Sequence, residues 1–147
     1  PDARMTNAVL LTSLQRYSDH GLLLLRLLVG SFLIYGVWDN IVSAERMEEF
    51  VAFLTKFGFP APAFMARLSV WAQFAIGLSF ITGMLTRWAG ILCAINFAVA
   101  FVMVDRFAGF RGAFQALCLL AIGVYLTFRG CGRLGVDYAL ERRRDMY

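Results

Sequence analysis

The 147-residue chain is 60% hydrophobic and only 16% charged, with a mean hydropathy of +0.67, which leaves too little polar surface to cover a soluble domain. Its formal charge of +4 comes from arginines at the edges of apolar runs and in the C-terminal tail, not from a basic face interleaved with stacking aromatics, so no nucleic-acid partner is expected. The expected surroundings are membrane lipids, and residues 1–147 read as a single membrane domain because several crossings consume most of the chain.

Residues 1–20 are polar and mixed, and the first apolar run, about 21–42, is not followed by the small-residue cleavage pattern of a signal peptide. The run is long enough to cross a bilayer. Arg26 lies near its start, where a long apolar stem lets a guanidinium snorkel to the headgroups, and an interfacial anchor is expected there. Tyr35 and Asp39 fall one helical turn apart on a common face toward the other end.

From residue 45 the pattern becomes amphipathic. Met47, Phe50, Val51, Leu54 and Phe57 share one helical face, while Glu45, Glu48, Glu49 and Lys56 lie largely elsewhere. A helix over about 45–57 is too short and too charged to span, so it is expected along the interface or folded over the bundle. Gly58 suits the position just past its end, and Pro60 and Pro62 prevent its continuation.

The second span, about 64–85, carries Arg67 near its start and Gln73 inside, and the amide is expected to face protein rather than lipid. Ala75, Ser79 and Gly83 lay small residues along one side. Thr86 and Arg87 then turn the chain into a third span, about 88–104, with its own small strip at Gly90, Ala94 and Ala98. Close packing of these two strips is expected. A polar connection, Asp105 to Arg111, leads to the fourth span, about 112–128, and a basic tail over 129–147, in which Asp137 is expected to cap a short helix.

The predicted fold is all-α: an integral membrane four-helix bundle with an amphipathic interfacial helix between spans one and two. Both termini then lie on one side. That side holds Arg4, Arg16, Arg87, Arg129, Arg133 and Arg142 to Arg144, against Arg46, Lys56, Arg67, Arg106 and Arg111 on the other, so the positive-inside bias predicts cytoplasmic termini.

The chemistry-bearing motifs are sparse. Gly130 to Gly135, GCGRLG, has dinucleotide-turn spacing but follows an apolar helix where that fingerprint needs a strand. Cys93, Cys118 and Cys131 have no CxxC spacing and fall at different depths, so they read as independent thiols. A single histidine, His20, cannot supply paired haem ligands or a zinc site. No self-contained catalytic or metal site is visible, no cofactor held covalently or by metal ligation is expected, and the sequence leaves open whether the chain is an enzyme.

What remains is a set of polar groups within or near the spans, of which Tyr35, Asp39, Arg67, Gln73 and Asn96 are the candidate ligand-binding residues. The competing structural reading is that charges neutralise one another at helix ends and that Gln73 and Asn96 join helices through hydrogen bonds of about 1 kcal/mol each. Asp39 and Arg67, at one level with opposite charge, are expected to pair.

Arg26-Leu-Leu-Val-Gly30, Gly36, Gly58-Phe-Pro60, Gly83-Met-Leu-Thr-Arg87, and Gly132-Arg133 with Asp137, in this order over residues 26–137, resemble the DoxX family. The resemblance implies a small four-helix protein of the bacterial inner membrane, some relatives being subunits of thiosulfate:quinone oxidoreductase. The chain departs from the family pattern at polar positions. Tyr35 stands where many relatives carry a histidine, Asp39 falls where a lysine lies nearby in them, and Gln73 replaces a common glutamate; an amide exchanges no proton near neutral pH.

Two function classes follow. One is an accessory or structural subunit docking onto a larger redox complex through a membrane-protein partner or a second copy. The alternative is a quinone-reactive subunit of an oxidoreductase, with quinone as the candidate ligand and a partner as electron donor. A carrier of lipid-like molecules ranks below both, since broken helices and paired repeats are missing from the pattern.

Overall fold

The computed structural model describes residues 3–146; Pro1, Asp2 and Tyr147, and the side chains of Ala3, Arg4, Thr6 and Asn7, lie outside that description. Among the described residues there are seven α-helices: α1 (Ala3–Leu10), α2 (Ser18–Val42), α3 (Ala44–Lys56), α4 (Pro62–Thr82), α5 (Thr86–Met103), α6 (Gly109–Arg129) and α7 (Val136–Arg144). Short 3-10 turns at Thr12–Tyr17 and Asp105–Ala108 lead into α2 and α6. Four segments are long and apolar enough to cross a membrane, namely Thr12–Val42, Pro62–Thr82, Thr86–Met103 and Asp105–Arg129. This is the all-helical, four-span architecture expected from the apolar runs.

The expected stop signals act where they stand. After α3, the Phe59 N–H donates to the Leu54 carbonyl and the Gly58 N–H to that of Thr55, both at 3.1 Å, with Gly58 at φ 76°. This pairing closes the orphan carbonyls of a helix end in a left-handed turn that glycine enters without strain. Pro62 then opens α4, where its missing N–H costs nothing. At the other end of α3, the Ser43 hydroxyl accepts from the Arg46 N–H at 3.3 Å.

The amphipathic face of α3 packs as expected: Met47 and Leu54 are buried with Val37 of α2 and Ala66 and Val70 of α4, while Glu45, Glu48, Glu49 and Lys56 stay exposed. Apolar burial of that kind stabilises by about 1.5–3 kcal/mol per large side chain when water is the alternative. Within lipid this drive is missing, and close backbone approach takes its place.

The small-residue packing differs from the sequence expectation. The tight pairs are α2 with α4 and α5 with α6. A Cβ on Gly30 would lie 2.7 Å from the Gly77 carbonyl, and one on Gly77 would lie 2.8 Å from that of Gly30. The second pair repeats the arrangement, with Gly90 and Gly123 each 2.7–2.8 Å from the other's carbonyl by the same measure. The strip on α4 does not bind α5: Ala75 is exposed, and Gly83 turns away from it toward Gly135 and Arg26. Gly90 and Ala94 do pack tightly, but on α6. Fourfold spacing finds small residues without saying which helix they face.

The bundle is therefore two glycine-locked pairs, joined by the short turn between α4 and α5. At the end carrying α7, Asp19 at the start of α2 meets Arg129 at the end of α6 at 2.7 Å. The other end lies under α3.

Candidate functional site

Two polar centres interrupt the apolar interior, one at each end. The α7 end is built around Arg26, which is 0% exposed. Its guanidinium donates to the Phe80 carbonyl at 2.9 Å, to those of Cys131 and Leu134 at 2.7 and 2.8 Å, and to that of Ile81 at 3.4 Å. Arg26 does not snorkel. The carbonyls at the end of α4 and in the turn after α6 lack helical partners, and a planar five-donor group about two turns inside α2 reaches both sets at once. Gly83, at φ 74°, makes room: a Cβ there would sit 2.7 Å from an Arg26 nitrogen and 2.6 Å from the Gly135 Cα.

Asp137 also does something other than expected. It lies in the first turn of α7, but its carboxylate accepts from the Leu85 N–H at 2.7 Å and the Thr86 N–H at 3.0 Å. It caps α5, while its own N–H donates to the Gly83 carbonyl at 3.0 Å. Arg87 donates to the last carbonyls of α6, Thr127 at 3.0 Å and Phe128 at 2.5 Å. Arg26, Gly83, Arg87 and Asp137, four of the residues that carry the family resemblance, thus converge on one structural knot in which backbone carbonyls take up the guanidinium, while Gly36 and Gly58 lie outside it.

The second centre lies between α4 and α5, under the aromatic side chains of α3. It is a cavity of about 400 Å³ with mostly apolar walls, including Phe50 and Phe53 of α3 and Leu92 of α5. Gln73, Ser69 and Asn96 line it as a hydrogen-bonded row: Gln73 Nε2 donates to Ser69 Oγ at 3.0 Å, and Ser69 Oγ donates to Asn96 Oδ1 at 3.0 Å. Asp105, where α5 gives way to the 3-10 turn, also lines the cavity. Among the lining residues it alone has a carboxyl group.

Of the five candidate residues, Gln73 and Asn96 come together and three do not join them. Tyr35 is 83% exposed on the outer surface of α2. Asp39 is exposed beside it, with no ion pair or side-chain hydrogen bond among the described residues. Arg67 meets Glu48 of α3 at 3.2 Å and the Ala63 carbonyl at 3.0 Å, so the expected Asp39–Arg67 pair does not form. The amphipathic helix, lying over α4, offers Arg67 a nearer carboxylate. Ser69 was missed, although its i,i+4 relation to Gln73 is visible in the sequence. The sequence pattern suggests an interfacial anchor for Arg26 and a cap of its own helix for Asp137, because their actual partners lie more than 50 residues away in the chain.

A family model described as DoxX matches residues 21–106, more than half of the chain. The matched segment contains every residue lining the cavity, from Phe50 to Asp105, and also Arg26, while Cys131, Leu134 and Asp137 lie beyond it. No curated protein and no solved structure matches the chain significantly, so no relative's activity comes with the family. By this match, and by its four helices long and apolar enough to span, the chain belongs to the DoxX family of membrane proteins.

Proposed function

We propose that this protein is a subunit that holds a quinone-class molecule in the cavity between α4 and α5 and docks onto a larger redox complex of the bacterial inner membrane. The observation that carries the proposal is the cavity itself, about 400 Å³ of mainly apolar wall around an amide–hydroxyl–amide row. That volume lies within the range of about 300–1,000 Å³ typical of small-molecule sites, in which a few polar groups orient an apolar ligand. A flat ring would lie against the aromatics of α3, with an oxygen toward the row. The chain's part is to bind and orient; the electron donor belongs to the partner. Purification in mild detergent, followed by extraction and mass analysis, tests this. Co-purified quinone, depleted in Asn96→Leu, is the expected result; no quinone in the preparation and no uptake of added decyl-ubiquinone would overturn it.

A purely accessory subunit is the second reading, favoured by Tyr35 and Asp39 on the outer face of α2. Polar side chains on the outer surface of a span are better matched by a protein neighbour or interfacial water than by lipid tails. A stoichiometric membrane-protein partner whose retention depends on Tyr35 and Asp39, together with an empty cavity, would favour it. Cytoplasmic termini accompany both readings, and cysteine probes at positions 56 and 142 should react from opposite sides.

A further inference from the structure

We infer that the cavity selects the redox state of its ligand, favouring the reduced, dihydroxy form over the oxidised diketone, a selectivity that rests on the quinone-class ligand proposed above. The source is the direction of the hydrogen-bonded row. Gln73 Nε2 donates to Ser69 Oγ, which donates to Asn96 Oδ1, leaving Gln73 Oε1 as a free acceptor and Asn96 Nδ2 as a free donor. Both residues line the cavity, and neither atom is fully buried: the buried side-chain polar atom left without a partner among the described residues is elsewhere, Thr86 Oγ1.

This polarity survives a turn of both amides together. Reversing both gives Asn96 donating to Ser69 and Ser69 donating to Gln73, and again one oxygen and one nitrogen remain. Reversing only one either sets two N–H groups against the hydroxyl, leaving its proton without an acceptor in the row, or sets two carbonyls against that single proton. Because the serine hydroxyl gives its proton within the row, to Asn96 Oδ1 at 3.0 Å, and accepts on the other side, the two ends of the row differ.

A ligand carbonyl only accepts. It satisfies the nitrogen end and sets oxygen against oxygen at the other, in surroundings where an unmatched polar group is costly. A hydroxyl accepts and donates at one atom and so matches either end. One neutral hydrogen bond made in place of an unmatched contact corresponds to about tenfold in Kd. A tenfold preference for the reduced form raises the midpoint potential of the bound two-electron couple by about 30 mV. Ser69 is thus a positioning residue: it touches the amides and fixes what they present.

The test uses the full chain in detergent under anaerobic conditions, titrated with decyl-ubiquinone and with its two-electron reduced form. The wild type should bind the reduced form about tenfold more tightly. Ser69→Ala frees each amide to turn independently, so it should still bind both forms, with the preference falling toward one. Ser69→Thr keeps the hydroxyl and should keep the preference. Equal binding by the wild type, or an unchanged preference in Ser69→Ala, would overturn the inference while leaving the quinone reading intact. Failure of the wild type to bind either form would remove the quinone reading itself.

Discussion

Arg26 and the Gln73–Ser69–Asn96 row both place hydrogen-bonding groups inside an apolar bundle, yet their surroundings differ. Around Arg26, carbonyls from α4 and from the turn after α6 take up the guanidinium, and glycines bring the backbone against it. Around the row, the three side chains bond mainly to one another and border an open volume of about 400 Å³. A charged group with its donors consumed acts as a structural tie, whereas a row of neutral groups with unused valences beside empty space can receive a ligand. The polar group most expensive to bury is the structural one, and the inexpensive ones form the site.

The largest effect that would break this contrast is expected at Arg26. Arg26→Leu strands several buried carbonyls, at about 1–3 kcal/mol each, so a loss of at least ~3 kcal/mol or failure to accumulate folded protein is expected. Arg26→Lys keeps the charge but loses the planar fork and should fall between. Thermal unfolding in detergent reads both, and a near-wild-type Arg26→Leu would mean that the carbonyls find other donors.

Next come the glycine locks. Gly77→Ala drives a methyl group to 2.8 Å from the Gly30 carbonyl, and Gly90→Ala meets the Gly123 carbonyl at 2.7 Å. Backbone cannot yield as a side chain does, and about 1–3 kcal/mol of destabilisation is expected for each. Alanine at exposed Gly36, which has nothing within 4 Å, is the control and should be neutral or stabilising in its helix.

Asp137→Ala removes the cap of α5 and should cost about 1–2 kcal/mol, visible as earlier hydrogen exchange at Leu85 and Thr86. Unchanged exchange there would deny the carboxylate its capping role. At the open end, Gln73→Leu should alter stability by less than about 1 kcal/mol, because a single side-chain hydrogen bond between membrane groups contributes little. A loss as large as that of Arg26→Leu would place the row among the structural ties.

The smallest effect is at Arg67 and Asp39. Arg67 pairs with Glu48 on an exposed surface, where such contacts contribute about 0–1 kcal/mol after solvent screening. Arg67→Leu and Asp39→Asn should therefore add within about 0.5 kcal/mol in the double variant. A larger coupling energy would restore the pair that the structure separates.

How far the fold was legible follows from the same contrast. Spans and stop signals are local properties: apolar runs gave the four long helices, Gly58 and Pro62 marked their turn, and the two faces of α3 sorted correctly. Which glycine faces which helix is not local, and the strip at Ala75, Ser79 and Gly83 misled for that reason. Half of the site was legible, since Gln73 and Asn96 were found by being polar within apolar runs. Tyr35 satisfied the same criterion yet faces outward, because polarity reports depth in the chain but not the side of the helix.

Arg26 also sets an order of events during synthesis. It emerges with the first span, whereas the Cys131 and Leu134 carbonyls that it ties follow 105 and 108 residues later. At about 5–20 residues per second, the guanidinium waits roughly 5–20 s before the last of its acceptors has been made. Throughout that interval the newborn first helix carries a cation that the finished bundle conceals, so it must be sheltered by the insertion machinery or held at the membrane surface. Completion of the tail is the step that lets it sink.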